Sequence, residues 1–404
     1  MSELIRELPD WIDGWLEFMD NSEAPIIYHK WVAVSIIAAA LERKVFLQWD
    51  KELYPNFYIV LVGPPATRKG SAMGPGRRML GNPDIKVQLV ADVTTKEKLA
   101  LTFMDATKEF RSEEGFGFNE HSSLTLYSEE FTVFLGYDNK DLLPWLCDWY
   151  DCKENWAYTT KHQKETVVKN LWLNIIGATT PDLLQDVLPR ESFGSGLNSR
   201  IIYVYAGRKG KNVLFPHLAV GKPEIWDKLE SDLGIINLMQ GEFQADQSYM
   251  DVWARWYPKN EEVKLAKDSR MSGYIGRRPT HLHKLAMILN ISRDGGLILT
   301  AEDLLKGLEM LDEVESCMLE TFSGMGRSET SQITERVLAY IRASEGIRYS
   351  ELLRHFRNDA NAQELALVVA TLDEANLVNV APIKENGLLL KDRYITPYNP
   401  LRGG

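Results

Sequence analysis

The sequence predicts an α/β fold in which buried strands alternate with helices, and three stretches carry that prediction. FYIVLV (57–62) is an unbroken run of apolar and β-branched residues that stops at Gly63-Pro64-Pro65, where no strand can continue. LTLYSEEF (124–131) is a short strand ending in two carboxylates. LWLNIIGATT (171–180) is a further buried strand, and it ends in two hydroxyls before PDLLQDVLP, a helix with proline at its first position.

Taken in order, residues 8–46 read as helical: LPDWIDGWLEFMD repeats apolar residues every three or four, and YHKWVAVSIIAAALERKV is strongly apolar. Trp11 and Trp15 are core candidates. Two strand-like runs follow, separated by Asp50 and the Pro55-Asn56 turn. The loop after FYIVLV compares with G-x-x-x-x-G-K-[ST] through Gly63, four residues, Arg68 where Gly is expected, Lys69, and Gly70 where the hydroxyl is expected, with Ser71 one place later. Such a loop can turn amide N–H groups around a phosphate while its lysine supplies a point charge. Two of the four fixed positions depart, so an ordinary strand-turn-helix with a surface Arg-Lys pair stays open.

Ser71–Met79 is expected as the next helix, its start weakened by Gly74-Pro75-Gly76. Thr95 caps KEKLALTFMDATKEF, an amphipathic helix, and 112–123 reads as loop. Glu129 and Glu130 then stand where phosphoryl transfer places one carboxylate for magnesium and one for the attacking water; a solvated strand end explains them equally well. YTTKHQKETVVKN suits a hairpin whose tip carries Lys161, His162 and Lys164. Thr179 and Thr180 can sense a γ-phosphate or simply cap a helix. GSGLNSR is a loop that presents Arg200, either a plain surface residue or a group completing a neighbouring subunit's site. Residues 216–268 are expected to be mostly helical and 274–324 to form a bundle, with Thr300 as an N-cap. A linker near 323–326 leads into a helix-helix-helix-hairpin order, that of a winged helix.

At 404 residues, 45% hydrophobic and 25% charged, the chain has the composition of a soluble globular protein of two or three domains. No signal-peptide order and no bilayer-length apolar run is present, so a cytoplasmic protein with no membrane partner is expected. Cys147, Cys152 and Cys317 are too scattered for a disulfide framework or a zinc site. A net charge of −11 restricts nucleic-acid contact to local features such as a pore or one hairpin.

Together these pieces resemble the phage and bacterial DUF3987-type P-loop proteins, described as primase-helicase or replicative helicase ATPases, and more distantly the minichromosome-maintenance and superfamily III helicases. The resemblance runs from the stretch before YPNFYIVLVGPP to the C-terminal segment. It implies a P-loop NTPase core of AAA+ or RecA-like type (49–215) with an N-terminal helical collar (1–48), a helical lid (216–325) and a C-terminal winged helix (326–404). By that resemblance Gly63, Pro64, Pro65, Arg68, Lys69, Gly70 and Ser71 hold ATP, Ser71 and Glu129 hold Mg2+, and Glu129 and Glu130 form the Walker B pair. Thr179 or Thr180 becomes the first sensor, Arg200 the arginine finger, and Arg277 or Arg278 the second sensor. Lys161, His162 and Lys164 then face DNA. The implied function is an ATP-driven, ring-forming DNA helicase or translocase, a hexamer on single-stranded or forked DNA, with primase and polymerase as replisome partners in the host cytoplasm. The alternative is a nucleotide-gated DNA-binding or helicase-loading module with little hydrolysis. Arg68, Gly70 and the Glu129 that replaces the usual Asp depart from the family pattern.

Overall fold

Asp10 accepts hydrogen bonds from the backbone N–H groups of Ile12 and Asp13 and so starts α1 (Trp11–Phe18), the first helix of a computed structural model. The structure describes residues 5–90, 95–111, 118–136, 141–158, 166–188, 196–215, 222–262, 268–322, 329–357, 359–385 and 388–398. Two compact units divide the chain, 1–323 and 324–404, so the segments read as collar, core and lid belong to one unit.

In the first unit α2 (Ile26–Leu41) is buried along almost its whole length and leads to β1 (Val45–Gln48), β2 (Glu52–Leu53) and β3 (Tyr58–Val62). The phosphate-loop candidate and α3 (Lys69–Leu80) follow, then β4 (Leu89–Val90), α4 (Lys96–Asp105), β5 (Thr107–Arg111) and β6 (Phe118–Ser128). Next come α5 (Phe131–Leu135), α6 (Leu142–Tyr150), the hairpin β7 (Asn155–Tyr158) and β8 (Thr166–Lys169), β9 (Leu171–Thr179), α7 (Pro181–Val187) and β10 (Ile201–Tyr205). The unit continues with α8 (Pro223–Asn237), β11 (Gly241–Ala245), α9 (Gln247–Trp256), α10 (Ser272–Ser292), β12 (Ile298–Leu299) and α11 (Ala301–Met318).

The central sheet has the order β10-β3-β9-β6-β4, parallel throughout, with β5 added antiparallel to β6. Every residue of β3 and β9 is buried, as helix-covered parallel strands require. Val62 pairs with Thr179 and Ser128 with Gly177, so β3, β9 and β6 end almost level at one edge. A second sheet, β12-β11-β1-β2, joins residues far apart in sequence. It was not foreseen from local patterns.

Several boundaries move. The helical reading of 8–46 breaks before β1, because Glu42 takes a positive φ and turns the chain. α3 starts earlier than expected and runs through Pro75, giving up one bond to Ser71. Gly76 explains why: a Cβ there would meet the Tyr127 hydroxyl at 2.5 Å and Ile36 Cδ1 at 2.9 Å, so the helix lies close against β6 and α2. KEF of the expected helix belongs instead to β5, and residues 118–123 of the expected loop extend β6.

The second unit comprises α12 (Glu329–Ala343), β13 (Ile347–Arg348), α13 (Tyr349–His355), α14 (Ala362–Glu374), β14 (Val378–Glu385) and β15 (Leu388–Pro397). Its strands form an antiparallel sheet in the order β13-β15-β14. Val337, Ile341, Leu352, Leu365, Val368, Leu372 and Ile395 make its core.

Candidate functional site

The loop between β3 and α3 is held from three sides. Gly63 N–H donates to the Thr179 carbonyl (3.4 Å), and the Val62 carbonyl accepts from Tyr28 Oη (2.7 Å) and from Ala206 N–H (3.0 Å). A Cβ at Gly63 would stand 2.5 Å from both the Tyr28 hydroxyl and the Ala206 carbonyl. Gly63 is thus needed for close approach rather than for unusual backbone angles. Left-handed backbone occurs instead at Ala66 (φ 68) and Arg68 (φ 65), each a strain of about 1–2 kcal/mol for a side chain with a Cβ. Pro64 is half-buried and Pro65 exposed on the turn.

Lys69 opens α3, and its Nζ donates to the carbonyls of Gly63 (2.7 Å) and Pro64 (3.1 Å) and to Thr67 Oγ1 (3.2 Å). These neutral acceptors are weaker partners for an ammonium than an anionic oxygen is. Burial lowers the Lys69 pKa from its ordinary value, against Glu130, whose charge raises it. The first turn of α3 also leaves backbone N–H groups without carbonyls inside the helix, the usual basis for anion binding there.

The carboxylates arrive from β6, two strand spacings or about 10 Å from β3. β6 is braced on α3 by Arg77 Nη1, which donates to the Tyr127 carbonyl (2.9 Å), and by Tyr127 Oη, which donates to the Met73 carbonyl (2.7 Å). That brace sets Glu129 over the helix start: Glu129 Oε2 lies 2.9 Å from where a Cβ on Gly70 would be. Glu130 stands just before α5, and its charge is felt at Lys69. Phe131 seats α5 on β9 at Gly177, where a Cβ would meet the ring at 2.8 Å. Glu129, Glu130 and Lys69 therefore do converge. Thr179, on the strand between, is buried, with Oγ1 donating to the Thr180 carbonyl (3.3 Å). Thr180 is committed as the N-cap of α7, where its Oγ1 accepts from Leu183 N–H.

The remaining expected residues are placed as follows, Arg200 having been expected to serve a neighbouring subunit's site rather than this one. Ser71 is exposed one residue beyond Gly70, and Gly70 is the position the Glu129 carboxylate approaches. Arg200 is not an exposed loop residue: it is 7% exposed, and it immediately precedes Ile201, which pairs with Tyr58 at the opposite, amino edge of the sheet. Its guanidinium donates to Asp151 Oδ2 (2.5 Å) and to the Gly196 carbonyl (2.6 Å). Arg277 Nη1 reaches the other oxygen of Asp151 at 3.3 Å. Burial raises the Asp151 pKa, but these two arginines outweigh it and hold the carboxyl below its ordinary value.

Arg278 is buried and bound to Glu315 (2.6 Å) and Asp312 (2.7 Å). α10, which carries both arginines, is anchored at the amino edge through Lys284 to Asn56 and His281 to the Ser199 carbonyl. Each of the three guanidiniums is paired within the chain: Arg200 and Arg277 share the half-buried Asp151, and Arg278 takes the buried Glu315. Lys161, His162 and Lys164 lie outside the described residues; the β7–β8 hairpin that carries them pairs Tyr158 with Thr166 and leads through Asn170 into β9.

Sequence reasoning missed Glu23. Its carboxylate accepts from Arg68 Nε (2.7 Å), Lys209 Nζ (2.7 Å) and Val213 N–H (3.1 Å), tying the loop to the chain after β10. The Lys209 bond first, then the Val213 amide and Arg68, pull its pKa down to about 2. No local pattern marks this residue, which lies 45 positions before Arg68.

The three cysteines are free thiols, and no helix among the described residues is long and apolar enough to cross a membrane. Compared with protein-family models and with curated proteins, the chain matches none.

Proposed function

We propose that residues 1–323 bind and hydrolyse ATP with Mg2+ at the β3–α3 loop, and that the chain couples this to movement along single-stranded or forked DNA in the cytoplasm. One observation carries the reading: Lys69 and Glu129, the residue just after β6, meet at the first turn of α3, with Glu129 Oε2 2.9 Å from the Gly70 Cβ position and the Glu130 charge acting on Lys69. In this P-loop ATPase reading Lys69 moves from neutral carbonyls to the β- and γ-phosphate oxygens, and loop amides hold the rest of the polyphosphate. Glu130 orients the attacking water and takes up its proton. Thr179, on the intervening strand, senses the terminal phosphate. The residues fit a Mg2+ ion, since Glu129 offers a hard carboxylate oxygen at the helix start, and the ion when bound supplies neutralisation of charge on the phosphates.

Contact with DNA is assigned to the β7–β8 hairpin through Lys161, His162 and Lys164. β9 runs from this hairpin to Thr179, a rigid span of about 26 Å, so the two ends move together. The second unit has the helix and hairpin order of a winged helix, but α14, the third helix, carries Glu364, Asp373 and Glu374 and no Lys or Arg. Such a helix is a poor match for a phosphate backbone. A hexameric ring with replisome partners belongs to this motor reading.

The pairing of Arg200, Arg277 and Arg278 with carboxylates of their own chain favours a second reading, a nucleotide-gated DNA-binding or helicase-loading module that turns over little ATP. ATPase rate with and without single-stranded DNA, together with the mass of the assembly in ATP, separates them. The motor gives DNA-stimulated turnover and a ring; the switch gives ATP-dependent DNA binding with slow, unstimulated turnover. Absence of ATP binding ends both.

A further inference from the structure

Resting on the nucleotide reading above, we infer that Glu129 replaces the loop hydroxyl as the cation ligand, and that Gly70 is glycine to make room for it. A loop of the G-x-x-x-x-G-K-[ST] type sets its metal-binding hydroxyl on the residue after the lysine, which here is Gly70. The place where that residue's Cβ would begin is instead approached by Glu129 Oε2, at 2.9 Å. Ser71, the next hydroxyl along the chain, is about 100° further round the helix and exposed. Gly70 in the loop motif and the Glu129 that replaces the usual Asp therefore compensate: a carboxylate with one more methylene than aspartate reaches across to α3, and the helix gives up the side chain that would stand in its way. The Arg77 and Tyr127 bonds between α3 and β6 fix the spacing that makes the exchange fit.

This pairing makes the effects of the two positions reciprocal. A Cβ on Gly70 meets only the tip of a flexible, exposed side chain, so Gly70→Ser folds normally but turns the Glu129 carboxylate aside. Glu129→Asp withdraws the carboxylate without restoring a hydroxyl. Combined, Gly70→Ser/Glu129→Asp rebuilds the ordinary hydroxyl and short carboxylate.

The test is the affinity of a fluorescent ATP analogue in EDTA and in saturating Mg2+, with Mn2+ binding followed by electron paramagnetic resonance. Glu129→Gln is expected to keep the EDTA affinity and lose the Mg2+-dependent gain by about tenfold or more, and Ser71→Ala to keep that gain. Each single exchange, Gly70→Ser or Glu129→Asp, should lose most of the gain and bind Mn2+ weakly, while the double variant recovers it. Loss of the gain in Ser71→Ala with retention in Glu129→Gln overturns the inference, as does a double variant worse than both singles. Failure of the underlying nucleotide reading looks different: wild type and Lys69→Ala would then bind the analogue equally, or not at all, in EDTA.

Discussion

Replacing Arg278 decides whether this arginine serves the nucleotide or the fold. Its guanidinium is 1% exposed, donates to Glu315 at 2.6 Å and lies over the Trp256 ring at 5.3 Å. The Asp312 partner is largely exposed and contributes little, so the energetic weight falls on Glu315, which also accepts from Tyr274 Oη at 2.8 Å. Arg278→Ala leaves that carboxylate buried without its cation, and breaking a buried pair in this way costs about 3–5 kcal/mol. For a unit this large, at about 2 °C per kcal/mol, the melting temperature should fall by roughly 6–10 °C.

Burial already raises the Glu315 pKa, with Arg278 opposing it, so removal of Arg278 raises it further. The native variant then holds a proton that the unfolded chain releases, an advantage present at low pH and lost as pH rises through the folded pKa. The deficit should therefore be smaller near pH 5 than near pH 8. Arg278→Met/Glu315→Gln, which removes both charges, should regain most of the stability. Calorimetry at both pH values, with analogue binding measured on folded protein, checks the argument. An unchanged melting temperature with about tenfold weaker nucleotide binding would refute it and return Arg278 to a sensor role.

Lys69→Ala should lose analogue binding, whereas Glu130→Gln should keep it and turn over ATP at least about a hundredfold more slowly, measured by phosphate release. Gly177→Ala, by pushing Phe131 away from β9, should destabilise the unit by about 1–3 kcal/mol and lower turnover with little change in binding. Lys161→Ala/Lys164→Ala should weaken single-stranded DNA binding and flatten its log–log salt slope by about 1.4, the value for two phosphate contacts on a single strand. Unchanged affinity there removes the hairpin from the DNA contact. Lys284 is buried, and desolvation pushes its pKa down to about 7. The unfolded chain thus binds more protons between about pH 7 and pH 10, stability rises with pH across that window, and Lys284→Met should flatten the rise in denaturant titrations.

The parts of the site that were legible in the sequence are those written in consecutive residues. FYIVLV before Gly63, Lys69 at a helix start, Glu129-Glu130 closing a strand and Thr180 before Pro181 each depend on neighbours in the chain. The arginines were not legible, because their partners are distant: Asp151 is 49 residues from Arg200 and 126 from Arg277, and Glu315 is 37 from Arg278. Charge and loop position gave no sign that Arg200 and Arg278 would be buried or that Arg277 would be paired. β5 was missed because its TKEFR continues the amphipathic pattern of α4, and only pairing with β6 draws it into the sheet. The second sheet was hidden for a similar reason, since Val45 pairs with Gly241.

α2 sets a problem for synthesis. Thirteen of its sixteen residues are buried, and the surfaces that cover it come chiefly from α1, α3, β9, α8 and α10. The helix leaves the ribosome about 250 residues before α10 is complete, which at roughly 5–20 residues per second is about 10–50 s. Throughout that interval the nascent chain carries an apolar helix with no partner on one flank, and β1 waits about 200 residues for β11. α2 is thus made well before α10 and enclosed only after it. Chains cut short before residue 292 keep that helix uncovered on the α10 side, which makes them clients for chaperones and seeds for aggregation rather than smaller folded units.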